Sequence, residues 1–136
     1  MSNYFTNFSL VITLKEKARK YALELARQSA EFRQQDKPVP AGFPKSLVDV
    51  LEDWNFETES EKDGIWLHSE NGGIDAACAF IQHLLQQFDP KGRVTFEWSN
   101  DCSRPLVDAF GGGAAIITAG NISTMSTSDW LRSVDV

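Results

Sequence analysis

The chain has 136 residues, a length that suits one domain and buries roughly two-thirds of the unfolded surface on folding. Hydrophobic residues make up 42% and charged residues 24%, which excludes a disordered or fibrous chain. The formal charge of -6 argues against direct nucleic-acid binding, because neutralising phosphates needs a basic footprint.

The first apolar run, Phe8 to Leu14, alternates. Phe8, Leu10, Ile12 and Leu14 share one side and Ser9, Val11 and Thr13 the other, as a half-buried strand requires. The run is too short and too alternating for a membrane or signal segment and has no positive n-region before it, so a cytoplasmic chain without membrane contact is expected. Thr13-Leu14-Lys15-Glu16 fits a capping box and predicts a helix start. Ala18, Tyr21, Ala22, Leu25, Ser29 and Phe32 then recur at spacings of three and four, giving an amphipathic helix. Seven Lys and Arg against four acids lie between Lys15 and Lys37. Lys15, Arg19, Lys20 and Arg27 are therefore the candidates if any nucleic acid is bound.

Pro38 to Pro44 holds three prolines and forms a loop, since each removes a donor and biases its predecessor towards extended geometry. Ser46 predicts the cap of a short helix with Leu47, Val50, Leu51 and Trp54 on one side. From Asp49 to Asp75 nine acidic residues stand against Lys62 alone. Within this stretch Phe56 to Glu61 and Ile65 to Glu70 flank Asp63-Gly64, the signature of a two-residue hairpin turn. A tight turn there pairs Lys62 with Ile65, Glu61 with Trp66, Ser60 with Leu67 and Glu59 with His68. One face then holds Phe56, Thr58, Ser60, Ile65 and Leu67. The other, expected to be wet, holds Glu57, Glu59, Glu61, Trp66, His68 and Glu70.

Asn71-Gly72-Gly73 breaks the strand, and Ile74, Ala77, Cys78, Ile81, Leu84, Leu85 and Phe88 trace a second helical stripe, with His83 off it. After Asp89-Pro90-Lys91-Gly92, Arg93 to Asn100 alternates with Val94, Phe96 and Trp98 on one face. Ala114 to Ala119 and Ile122 to Ser126 flank Gly120-Asn121 as a last hairpin, and Ser128 caps a terminal helix holding Trp130 and Leu131. The expected fold is a single α+β domain over residues 1 to 136. It is a ferredoxin-like β-α-β-β-α-β antiparallel sheet with two amphipathic helices on one face, plus a C-terminal hairpin and short helices.

Gly111-Gly112-Gly113 lets backbone N-H groups close around an anion, but here the glycines precede a strand and no Lys follows, so a bulge or close chain approach is the simpler reading. Cys102-Ser103-Arg104-Pro105 places a thiol near a cation, and a Cys102, His68, Glu59 group is geometrically possible if the fourth strand neighbours the hairpin. Cys78 reads as a small core residue, and the two cysteines as reduced thiols. Two isolated histidines and two isolated cysteines match no metal spacing, so neither a metal nor a cofactor is expected.

The acidic hairpin face is the most unusual feature. Like charges on one sheet surface repel, and an aromatic among them is of the kind enriched at interface hot spots. The competing expectation is that the helix around Leu47 or that around Trp130 folds over Trp66.

The stretch from Gly64 to Leu131 resembles a set of small uncharacterised proteins carried by phages and plasmids. The resemblance rests on Trp66, Ala79-Phe80-Ile81, Cys102-Ser103-Arg104-Pro105 and above all Phe110-Gly111-Gly112-Gly113-Ala114 leading into Ile117-Thr118-Ala119. It implies a mobile-element accessory protein and carries over no catalytic residue. The functional expectation is a non-enzymatic protein-binding module, such as an inhibitor of a host defence or nucleic-acid-handling complex. It would meet a basic protein partner through Glu57, Glu59, Glu61, Trp66, His68 and Glu70. The alternative is a small enzyme using Cys102, or a ligand site at Gly111 to Gly113.

Overall fold

The computed structural model of the chain describes residues 3–35, 38–106 and 109–134. In chain order they form β1 (Tyr4–Thr13), α1 (Glu16–Gln35), α2 (Lys45–Val48), a 3-10 turn (Leu51–Asp53), β2 (Glu57–Glu61) and β3 (Gly64–Ser69). Then follow α3 (Ile74–Phe88), β4 (Arg93–Cys102), β5 (Gly111–Thr118), β6 (Ile122–Ser126) and α4 (Thr127–Ser133). The fold is α+β, with one open antiparallel sheet in the order β2-β3-β1-β4-β5-β6. No helix among the described residues is long and apolar enough to cross a membrane.

The sheet departs from the four-stranded expectation because the last hairpin is not an appendage. β5 pairs with β4 from Arg93↔Thr118 to Asn100↔Gly111, and β6 forms the edge. The glycines are what allow it. A Cβ at Gly112 would overlap the carbonyl of Trp98, and one at Gly113 would overlap the Trp98 ring and the Met125 carbonyl.

The hairpin register is also corrected. Glu61 pairs with Gly64, Ser60 with Ile65, Glu59 with Trp66, Thr58 with Leu67 and Glu57 with His68, so Lys62-Asp63 is the loop. The shift from the expected pairing is two residues, an even number, so every side chain keeps its expected face. Gly64 does not serve the turn, since its φ is not positive. It is glycine because β1 lies against it: a Cβ there would overlap the carbonyl of Ile12.

Element ends shift for similar reasons. Thr13 still pairs with Gly64 in β1, so α1 starts at Glu16 without the expected box. Pro44, not Ser46, precedes α2. Ser126, not Ser128, caps α4 by accepting from the Asp129 N-H at 3.1 Å. At the start of α3, Gly73 takes a left-handed conformation with φ 86, and Asp53 accepts from the Ala76 N-H at 3.1 Å.

The core lies between the sheet and α1 and α3. Phe8, Ile12, Ile65, Leu67, Phe96 and Ile117 of the strands meet Ala22, Leu25, Phe80, Ile81 and Leu84 of the helices. Trp54 packs on Phe56 and Phe80 with ring centroids 4.7 and 5.4 Å away, and Phe8 lies 6.1 Å from Phe56 and 5.4 Å from Phe96. Because α3 touches α1 and α2 as well as the sheet, it buries more than the stripe read from the sequence. His83, expected off that stripe, is buried and lies 2.7 Å from the Tyr21 hydroxyl through Nε2. Burial lowers the His83 pKa.

Candidate functional site

Strand alternation sends Phe8 and Ile12 of β1 to the helices and leaves Ser9, Val11 and Thr13 exposed on the other face. The pairings carry that face across the sheet. It holds Glu57 and Glu59 of β2, Trp66 and His68 of β3, Thr95 and Glu97 of β4, and Ile116 of β5. The face is open, with Val11 61% exposed and Glu57, Glu59, Thr95 and Glu97 all exposed.

Trp66 and His68 stack on β3, the second strand from the β2 edge, with ring centroids 3.9 Å apart and planes at 27°. Trp66 Nε1 donates to Ser9 Oγ at 2.7 Å, which holds the indole against β1 and leaves it half-buried. His68 Nε2 lies 2.6 Å from Glu59 Oε2 and 3.8 Å from Glu57 Oε2. The imidazole therefore bridges two carboxylates that would otherwise meet only each other along β2. Neither helix proposed as a cover reaches it. Leu47 is buried in the helix-side core, and Trp130 of α4 is 56% exposed beside exposed Leu131.

Beside the stack runs a groove of about 750 Å³, whose lining includes Ser9, Trp66, His68, Glu70, Glu97 and Ser99. None of Glu57, Glu59, Glu70 or Glu97 is ion-paired with a Lys or Arg among the described residues. The predicted set is thus largely gathered: Trp66, His68 and Glu70 line the groove, and Glu57 and Glu59 reach His68 from β2. Glu61 stands apart at the hairpin loop, opposite Gly64, where its carbonyl accepts from Arg19 at 3.0 Å. Sequence reasoning missed Ser9 and Glu97. Their outward positions follow from alternation, but their nearness to Trp66 depends on β1 lying between β3 and β4.

The same strand order separates Cys102 from the hairpin. Cys102 pairs with Tyr4 and His68 with Ser9, five residues apart on β1, or about 17 Å at the rise of a strand. Cys102 also shares the helix-side parity of Tyr4, whereas His68 faces outward. Cys102, His68 and Glu59 therefore form no catalytic group. Cys78 is buried in α3, and burial, with Asp75 and Asp53 adding to it, pushes its thiol up to about 12.

The glycine segment offers no anion cradle either. The Gly112 N-H donates to Thr127 Oγ1 at 3.0 Å, and the Thr127 hydroxyl donates back to the Gly112 carbonyl at 3.2 Å. The basic residues of α1 are largely engaged within the chain. Lys20 pairs with Glu16, Arg27 with Glu24 and Glu31, and Arg19 donates to the Glu61 and Lys62 carbonyls. Among the described residues no group of three or more His, Cys, Asp or Glu could hold a metal ion. No protein-family model matches the chain, and neither a curated protein nor a solved structure is significantly similar to it.

Proposed function

We propose that the chain is a non-enzymatic protein-binding module whose open sheet face docks on a basic surface of a partner protein. The observation that carries this reading is the half-buried Trp66 and His68 stack ringed by Glu57, Glu59, Glu70 and Glu97, none of them ion-paired with Lys or Arg among the described residues. Carboxylates crowded on one face repel each other, and a basic partner relieves that repulsion while steering the encounter. A rigid aromatic among such charges is of the kind enriched at interface hot spots. The resemblance to phage and plasmid accessory proteins favours a cytoplasmic inhibitor that occupies a basic channel of a host defence or nucleic-acid-handling complex. The order β2-β3-β1-β4 supports a ferredoxin-like frame within the sheet, widened by β5 and β6.

The test compares capture of host proteins by the wild type, by a Glu57→Arg, Glu59→Arg variant, and by a matched Glu16→Arg, Glu52→Arg control on the helix side. The wild type and the control should retain the same salt-sensitive basic protein, and the face variant should lose it. Retention by the face variant with unchanged salt dependence would sink the reading.

A further inference from the structure

We infer that two copies of the chain pair through their β6 edges, antiparallel about a two-fold axis at Thr124, into one continuous sheet. The two edges of the sheet are built differently. β2 carries Glu57, Glu59 and Glu61, and self-pairing there would set Glu59 against Glu59 and Glu57 against Glu61, which like charges oppose. Charged side chains are one way in which an edge strand is kept from joining another chain. β6 has no such guard: no residue from Ala109 to Ser128 is charged, and Ile122 to Met125 are all exposed.

The backbone of β6 is set for the same pairing. The Thr118 N-H donates to the Asn121 carbonyl at 2.8 Å and the Asn121 N-H to the Thr118 carbonyl at 3.4 Å, so these two residues form a hydrogen-bonded pair at the hairpin loop. Bonded and non-bonded pairs alternate along an antiparallel ladder. Ser123 and Met125 therefore turn their N-H and carbonyl groups to Ile116 and Ala114 of β5, and Ile122, Thr124 and Ser126 turn theirs outward. The register centred on Thr124 uses all three outward residues: Thr124 opposes Thr124 of the second copy, and Ile122 opposes its Ser126. The exposure of Ile122 to Met125 means that α4 leaves this edge uncovered.

This end of the molecule also supplies apolar surface to bury. Ile116 and Met125 are exposed on the open face, Ile122 on the helix side, and α4 adds exposed Trp130 and Leu131. Antiparallel pairing sets α4 of each copy at the Ile122 end of the other's β6, so the same patch is used twice, as an isologous contact requires. These five side chains expose about 500 Å² per copy, to which the strand backbone adds, against about 800 Å² per partner in a standard interface. Charge permits the pairing as well. β6 lies five strand spacings, about 24 Å, from β2, so Glu57, Glu59 and Glu61 of the two copies end at opposite outer edges. The axis stands perpendicular to the sheet, and both open faces look the same way.

Sedimentation equilibrium of the full chain across micromolar concentrations tests this. The mass of the wild type should rise from that of one chain towards twice it, and amide exchange at Ile122 and Thr124 should slow over the same range. Thr124→Pro removes an outward N-H that β5 does not use, a change that an edge strand tolerates. Thr124→Lys, at an exposed side chain, keeps the fold and sets two cations together at the axis. Each should raise the dimer dissociation constant about tenfold or more, and Glu59→Lys on the other edge should leave it within about twofold of wild type. A wild type that keeps the mass of one chain throughout, or a dimer equally tight in both Thr124 variants, would overturn the pairing. Protection of the Ile122 and Thr124 amides that appears only when a host protein is captured would give the edge to that protein and overturn it too. The pairing does not involve Glu57 or Glu59, so its failure leaves the reading of the open face standing, and failure of that reading leaves the pairing.

Discussion

The ring of Trp98 on β4 packs against the backbone of Gly113, its cross-strand neighbour on β5, leaving no room for a Cβ between them. An indole lying over a strand glycine recovers the burial that the missing side chain would have supplied. The Met125 carbonyl of β6 closes the same space from the other strand, so the contact ties three strands together. Gly113→Ala should therefore destabilise the fold by roughly 2–3 kcal/mol, the cost of forcing an extra carbon into a packed site. Gly120, where an added methyl would meet nothing within 4 Å and the φ is not left-handed, is the matched control. Gly120→Ala should stay within about 0.5 kcal/mol of wild type. Urea unfolding of the two variants checks the contrast.

This contact also shows where the sequence was legible and where it was not. The alternation at Phe8, Leu10 and Ile12 and the helical stripes at Ala22, Leu25, Ile81 and Leu84 assign strand, helix and inward face directly, because each period is a local property of the backbone. What Gly64 and Gly113 do is not local. Both occupy strand positions where another strand passes too close for a side chain; Gly64 reads as turn chemistry, whereas the close chain approach expected at Gly111 to Gly113 is what Gly112 and Gly113 show, with the strands concerned known only from the fold. His83 misleads for the same reason, since its burial comes with Tyr21 of the neighbouring α1 and not from the period of α3. The outward face of the hairpin survived a misread register only because the error was even. Ser9 and Glu97 joined that face through strand order, which no single-strand pattern encodes.

His83 gives the fold an acid limit with a definite sign. Its folded pKa lies below the ordinary value of 6.5 because burial disfavours the imidazolium. Between the two values the unfolded chain binds more protons than the folded one, so stability rises with pH there. The contribution is complete above the unfolded value and is lost as pH falls through the folded one. His83→Gln, which still offers Tyr21 a hydrogen-bonding group, should flatten the rise in unfolding free energy between about pH 5 and pH 7. Urea midpoints across that range would show it, and an unchanged slope would mean that carboxylates alone set the acid dependence.

The two thiols should respond differently to an alkylating reagent. Cys78 is 2% exposed and its thiol is pushed up to about 12, so almost none of it is thiolate at neutral pH and little of it is accessible. Cys102 is partly exposed near the end of β4. In the native protein one equivalent should label, at Cys102. The second, at Cys78, should appear only with unfolding, at a rate that follows denaturant. Peptide mapping after timed alkylation distinguishes the sites. Rapid native labelling of Cys78 would mean that α3 opens locally without global unfolding.

The open face should trade stability for recognition, and the two can be separated. Glu57 and Glu59 project from the same side of edge strand β2, with side chains 79% and 55% exposed, and His68 Nε2 lies within 4 Å of a carboxylate oxygen of each. Exposed pairs of this kind contribute about 0–1 kcal/mol, against which the repulsion between neighbouring carboxylates works. Replacing both with Gln removes attraction and repulsion together, so the unfolding free energy should move by less than about 0.5 kcal/mol. Binding should behave otherwise. The same double change removes two charges that would meet a basic partner, so association should slow and lose salt dependence while the fold stays intact. Thermal melts read the first quantity and association rates across ionic strength the second. A variant that loses stability and binding in parallel would assign Glu57 and Glu59 to the fold, because side chains kept for recognition leave the native state as stable without them as with them.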